Sequence, residues 1–275
     1  MKNIYYLIWN KWLSRPFKLK LVIDEGQGTP IVLLHGIGKT GGVWKHLITD
    51  LKHYSTLRIL AYDLLGFGDS PKPDWIKYDV DDHADAVIYS LDKVKGQTKF
   101  IIVGHSMGCL IALHVASKRP DLVKHLILYE MPLYDGLPEK RIYRLRLKAY
   151  EKFYNWIIDY KPEFDPSNIK RAHKLAQRVV GFEVNQNTWI PFIKSLENTI
   201  MHQTANTDIK DLVVPMDVIY GTFDMFVIRG QPSKYIGSPS QQINTFNVRA
   251  RHIISVKASH FLTKRILGAI ALEYT

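Results

Sequence analysis

Three features of the sequence predict an α/β fold, a mostly parallel central sheet flanked by helices with an all-helical lid inserted between two of its strands. Short runs of β-branched and apolar residues alternate with helix-length stretches. A long middle region has no such run and carries helical periodicity instead. A serine bracketed by glycines, in Gly104-His105-Ser106-Met107-Gly108, stands where one apolar run gives way to a helical stretch. With 275 residues, 46% of them hydrophobic, the chain can bury one large core that carries an insertion.

The first residues, MKNIYYLIWNKWLSRPFK, place the apolar stretch Ile4 to Trp9 between Lys2 and Lys11, too short for a signal-peptide core or a membrane span. This segment is expected to pack on the body. Surface attachment to anionic lipid is the alternative, because aromatics mix there with Lys11, Arg15 and Lys18. FKLKLVID and TPIVLLHG, around the turn EGQG, read as an antiparallel hairpin. Four runs then look like strands buried on both faces: IVLLHG (31–36), LRILAYD (57–63), FIIVGH (100–105) and HLILYE (125–130). Helix-length segments between them imply parallel pairing through crossover helices. From Met131 to about Asp211 the pattern is helical, in Glu139 to Tyr160 and again in SNIKRAHKLAQRVV, with Pro162, Pro166 and Pro191 as breaks. Two strand-like runs follow, MDVIYG (216–221) and RHIISVK (251–257), before a terminal helix FLTKRILGAIALEY. The expected division is therefore 1–131 as the first part of the core, 132–211 as the helical lid and 212–275 as the second part of the core.

A formal charge of +11 raises the question of nucleic acid, but the densest basic cluster, Glu139 to Lys152, has Ile142, Leu145, Tyr150 and Phe153 near helical spacing. Its charges read as a solvated helix face, and no nucleic-acid partner is expected. The single cysteine, Cys109, excludes an internal disulfide and favours a reducing, cytoplasmic setting. No metal-ligand cluster or cofactor-binding loop stands out, so neither a metal nor a cofactor is expected. No feature sets an oligomeric state.

Ser106 follows FIIVG and precedes MGCLIALHVASK, so it sits at a strand-to-helix corner that pushes its hydroxyl into the open, while Gly104 and Gly108 let the turn close against neighbouring backbone. The helix N-terminus aims free N–H groups and partial positive charge at whatever lies over the serine. Together with HGIG (35–38), DLLGFGDS (63–70), IYGTFD (219–224) and SHF (259–261), in this order, the sequence resembles the α/β-hydrolase family over most of its length.

That resemblance implies a Ser-His-Asp hydrolase. Ser106 is then the nucleophile, needing a base to take its proton and a carboxylate to orient that base. His260, which follows the last strand run by a short loop and opens the terminal helix, takes the position of the family's histidine. His252, read as lying at the start of that strand, falls at the wrong end of the sheet. Asp224 is the expected acid, with Glu130 at the end of HLILYE as the alternative. The backbone N–H groups of Ile37 and Met107 are the expected oxyanion donors. His35 and His105 border the site with structural roles, Asp63 and Ser70 hold loops together, and Cys109 is a small buried residue. The family pattern also puts a helix in Gln231 to Val248, which Pro232, Gly237 and Pro239 interrupt.

The function expected from these residues is hydrolysis of carboxylic esters of small to medium acyl groups through an acyl-enzyme, the partner being a small-molecule ester. Carbon–carbon bond hydrolase, thioesterase, lipase and perhydrolase chemistry share the triad and remain open, as does a triad-bearing ligand sensor. Tyr154, Trp156, Ile157, Trp189 and Phe192 suggest an apolar pocket under the lid.

Overall fold

The computed structural model describes residues 7–13, 15–96, 99–133, 183–210, 212–224, 226–227 and 242–271, with short pieces at 144–145, 148–149, 151–152 and 154–155. Seven strands form one sheet: β1 (Lys20–Gly26), β2 (Thr29–Leu34), β3 (Leu57–Asp63), β4 (Phe100–His105), β5 (Val123–Tyr129), β6 (Met216–Gly221) and β7 (Ile243–Val248), in the spatial order β1-β3-β2-β4-β5-β6-β7. All pairings are parallel except that of β1 with β3.

The apolar runs become central strands because both of their faces are covered. Side chains alternate across a strand, so in β2 Ile31 and Leu33 enter one core while Val32 and Leu34 enter the other. On the first side lie α1 (Lys45–Leu51) and α6 (Val256–Ala271), contributing Leu47, Leu51, Leu262 and Ile266. On the second lie α2 (Val80–Leu91) and α3 (Met107–Lys118). The α2 helix starts at Asp79, whose carboxylate accepts the Asp82 N–H at 2.9 Å. Apolar around most of its circumference, α3 is covered by the sheet, by α2 and by α5 (Ala205–Lys210).

Two expectations fail here. Although β1 and β2 are consecutive, they do not pair as a hairpin: β3 lies between them, with Ile23 opposite Ala61 on one side and Ile31 opposite Ile59 on the other. The last strand is Ile243–Val248, not 251–257, so no helix occupies that end of the Gln231 to Val248 stretch; residues 231–241 lie outside the described ones. INTFNV reads as polar because β7 is an edge strand exposed at Asn244, Thr245 and Asn247.

Between β5 and β6 the elements among the described residues are helical, namely α4 (Trp189–Ser195), the wider turn Leu196–Met201 that continues it, and α5. They are fastened to the loop that follows β3: Thr199 Oγ1 donates to the Tyr78 carbonyl at 2.7 Å, and Lys194 Nζ to those of Asp74 and Ile76 at 2.6 and 2.7 Å. Tyr154 and Phe192 are buried. The SNIKRAHKLAQRVV helix, Trp156 and Ile157 lie outside the described residues, as does most of Glu139 to Tyr160.

What brings α3 against the sheet is the lack of a side chain at Gly108. A Cβ there would stand 2.3 Å from the Leu34 carbonyl oxygen, and one at Gly104 would stand 2.6 Å from the Gly108 oxygen. Gly108→Ala is expected to cost about 3 kcal/mol, the upper range for overpacking a closed core, read as a lower urea midpoint with unchanged m-value.

Candidate active site

Ser106 has φ 53° and ψ −121°, a backbone state that ordinary residues avoid, between the end of β4 and the first residue of α3. Its N–H donates to the Tyr129 carbonyl at 3.0 Å, and its own carbonyl accepts the Cys109 N–H at 2.8 Å. These bonds hold the hydroxyl at the C-terminal edge of the sheet, where the loops after β2, β5, β6 and β7 converge.

One histidine meets it. The Ser106 hydroxyl lies 3.0 Å from His252 Nε2, and His252 Nδ1 lies 2.6 Å from Asp224 Oδ2. With Nδ1 protonated and donating to the carboxylate, Nε2 is left as the acceptor for the serine proton. Asp224 Oδ1 accepts the Phe226 N–H at 2.7 Å, and the Tyr129 hydroxyl binds the Ile253 and Arg251 carbonyls at 3.0 and 3.2 Å, tying down the loop on both sides of His252. Phe226 meets the imidazole edge-on at 5.3 Å and His105 lies 5.2 Å away. Burial pulls Asp224 upward, but the hydrogen bond and charge of His252 outweigh it and hold the carboxyl below its usual range.

The structure does not bring His260 to this site. His260 projects from α6, its side chain 61% exposed, and its Nδ1 lies 2.8 Å from the Asp50 carboxylate on α1. The cause is the position of the last strand. Because β7 ends at Val248, His252 falls in the loop after it, at the C-terminal edge, and 260 is already inside a helix that begins at Val256. The available signal was the alternation of Thr245 and Asn247 with Phe246 and Val248 in INTFNV, a polar edge strand overshadowed by the more apolar RHIISVK.

Other expected residues sit at the rim. His35 bridges two strand ends, Nδ1 donating to the Gly36 carbonyl and Nε2 accepting the Leu64 N–H, each at 2.8 Å, and burial lowers its pKa to about 4, so it is neutral. Ile37 is buried in the loop it holds, and Met107 is the first residue of α3, where helix geometry leaves N–H groups without intrahelical acceptors. His105 is stacked on Tyr129 at 5.6 Å and, pushed down first by burial, stays uncharged. Asp63 accepts the Gly41 and Asp69 N–H groups at 2.8 Å, and Ser70 joins the Asp63 carbonyl to the Lys20 N–H. The Cys109 thiol, bonded toward the Gly104 and Tyr129 carbonyls, is pushed well up by burial and is chemically quiet.

Glu130 is the second acid of the site. It is fully buried at φ 56°, and a Cβ on Gly221 would meet its Oε1 at 2.1 Å, so only glycine leaves it room. Glu130, Asp224 and His252 each offer an atom within 4.8 Å of the others. Such a trio could be taken for a metal site, but both His252 nitrogens are engaged with protein oxygens. Burial first, then the hydrogen bond and negative charge of Asp224, raise the Glu130 pKa to about 10, so it is a neutral acid at pH 7. A carboxyl raised from 4.5 to about 10 on folding contributes stability present below 4.5 and lost progressively as pH rises toward 10. Glu130→Gln, which keeps the shape of the neutral acid, is therefore expected to gain on the parent chain with rising pH between 5 and 9, by at most about 1.4 kcal/mol per pH unit, in urea unfolding.

The comparisons with known proteins agree with this fold. The model of a family described as the alpha/beta hydrolase fold matches residues 29–262. The protein named Probable lysophospholipase BODYGUARD 4 from Arabidopsis thaliana is 37% identical over 121 residues, 42% of this chain and 29% of that one. The (Lyso)-N-acylphosphatidylethanolamine lipase of Bos taurus is 38% identical over 106 residues, 37% of this chain and 30% of that one. The chain thus matches about three-tenths of the length of these relatives. Among solved structures, the epoxide hydrolase CorEH superposes with a TM-score of 0.70 at 18% identity, covering 93% of this chain and 99% of that one. A thermophilic esterase from Thermogutta terrifontis gives 0.65 at 19%, covering 94% and 95%. With its sheet order, its serine corner and a family match over most of its length, the chain belongs to the alpha/beta hydrolase fold family.

Proposed function

We propose that the chain is a serine hydrolase that cleaves carboxylic esters of small to medium acyl groups through an acyl-enzyme. The observation that carries this reading is the unbroken line from Ser106 Oγ to His252 Nε2, 3.0 Å, and from His252 Nδ1 to Asp224, 2.6 Å. Ser106 attacks the ester carbonyl as His252 takes its proton. The carbonyl oxygen gathers negative charge against the Ile37 and Met107 N–H groups, each such donor contributing about 3 kcal/mol to lowering the barrier. His252 then returns the proton to the leaving alcohol, and water, activated by the same ring, releases the acid. Asp224 keeps the imidazole in the tautomer that the first step needs and stabilises its charged form.

Relatives named for lysophospholipid and N-acylphosphatidylethanolamine hydrolysis add acyl glycerophospholipids to the candidate esters. The helical insertion, held on the loop after β3, is the part that would set acyl length. A cytoplasmic site of action remains part of the reading; among the described residues no helix is long and apolar enough to cross a membrane.

A fluorophosphonate probe is expected to label the parent chain and not Ser106→Ala, and a p-nitrophenyl ester series of increasing acyl length is expected to give multiple turnovers. In that assay Ser106→Ala and His252→Ala each lose about 10⁶-fold in kcat, Asp224→Asn loses about 10⁴-fold, and His260→Ala stays within about twofold, in keeping with a surface change of small effect. Single-turnover kinetics with no ester cleaved repeatedly would favour a ligand sensor over an enzyme. Full activity in His252→Ala would overturn the assignment of the base.

A further inference from the structure

The loops that bring Asp224 and His252 to Ser106 also turn apolar side chains outward. Phe223, immediately before Asp224, is 56% exposed; Ile253, immediately after His252, is 53% exposed; Val256 at the start of α6 is 50% exposed. The two loops lie against each other, the Phe223 N–H donating to the Ala250 carbonyl at 3.0 Å, so these side chains belong to one surface. Basic residues are interleaved with them. Arg249 stacks over the Phe223 ring at 5.7 Å, and Arg251 and Lys257 are exposed. None of the three is ion-paired among the described residues, and the sequence from Gln242 to Ala271 contains no Asp or Glu at all.

A second patch of the same character borders the other side of the sheet. Trp12 is 80% exposed and Leu13 55%, while Lys11 Nζ lies 5.4 Å over the ring of Trp75. Trp75 belongs to the loop after β3, which leaves the sheet at the edge where Ser106 lies. No acidic residue occurs before Asp24. The edge of the sheet that holds the serine is thus bordered, toward β3 and toward β7, by aromatic or aliphatic side chains set among cations.

From this arrangement we infer that the catalytic edge of the sheet docks on an anionic lipid bilayer surface. The physical match is twofold. Exposed aromatic and aliphatic groups enter the headgroup region, and the cations among them are drawn to negative lipid, each close basic residue strengthening binding by about fivefold, the equivalent of about 1 kcal/mol. Soluble anionic ligands would use the cations but would leave Phe223, Ile253 and Trp12 in water, and a second copy of this chain would set the same cations against each other. The binding itself does not depend on the proposed chemistry. Its consequence does rest on that reading: an acyl chain leaving the bilayer beside Phe223 and Ile253 enters next to Asp224 and His252.

The test is sedimentation of the full chain with vesicles of phosphatidylcholine, with and without phosphatidylserine, at low and high salt. The parent chain is expected to pellet with the phosphatidylserine vesicles and to be released by salt. A variant combining Phe223→Ser with Arg249→Glu is expected to lose at least about tenfold in partitioning, because one exposed apolar group and two units of charge difference are removed from the contact. The same variant keeps its thermal unfolding temperature, which separates loss of docking from loss of folding. Trp12→Ser tests the second patch and is expected to weaken pelleting without altering turnover. Equal pelleting of parent and variants, pelleting independent of phosphatidylserine, or light scattering that shows a dimer lost in the Phe223→Ser/Arg249→Glu variant would each overturn the inference. An absence of ester turnover in the parent chain would overturn the proposed chemistry and leave the pelleting result standing.

Discussion

A strained corner governs the site. Ser106 can hold φ 53° only because its neighbours over-determine it: its N–H is tied to Tyr129 on β5, and Gly104 and Gly108 let β4, α3 and the end of β2 approach more closely than any side chain would permit. The same approach carries the first turn of α3 toward the loop of Ile37. Hydroxyl, helix end and the loop of Ile37 are thus set by one packing constraint, whose contacts at Gly104, Gly108 and Leu34 lie in buried strands and a buried helix.

The acid side of the site is held differently. Asp224 and Glu130 come from the ends of neighbouring strands, β6 and β5, and meet in a space kept open by Gly221. Two carboxyls in one buried space cannot both be charged at moderate cost, and the environment divides them. Asp224, bonded to His252 and to the Phe226 N–H, keeps the negative charge; Glu130 keeps the proton. The two residues were alternatives for one role in the sequence, whereas in space they take complementary states of the same chemistry.

The edge that holds Ser106 also shows how closely site and surface are joined. Phe223 and Ile253 are exposed because Asp224 and His252, their chain neighbours, must turn inward. Alternation along a short loop leaves the intervening side chains facing solvent, and here those side chains are apolar and set among arginines. The segment between β5 and β6 borders this edge as well, through the Glu183 N–H on the Gly38 carbonyl at 2.7 Å. Access to Ser106 is therefore shaped by elements from both halves of the chain.

Much of this was legible in the sequence. Buried parallel strands must be apolar on both faces, so IVLLHG, LRILAYD, FIIVGH, HLILYE and MDVIYG mark β2 to β6, and the glycines around Ser106 mark the corner through a steric demand that no other residue meets. Asp224 follows because it lies in the loop just after such a run, MDVIYG. Pairing and the choice of histidine were decided only by the tertiary structure. Strand patterning does not state which strand is a neighbour, so β3 separates β1 from β2. An edge strand buries too little to be apolar, so INTFNV was hidden beside RHIISVK, and the eight positions that separate His260 from His252 became the difference between a loop at the serine and a helix facing Asp50. Local composition reports how deeply a segment is buried, while the meeting of Ser106, Asp224 and His252 depends on where distant segments end, which no local pattern contains.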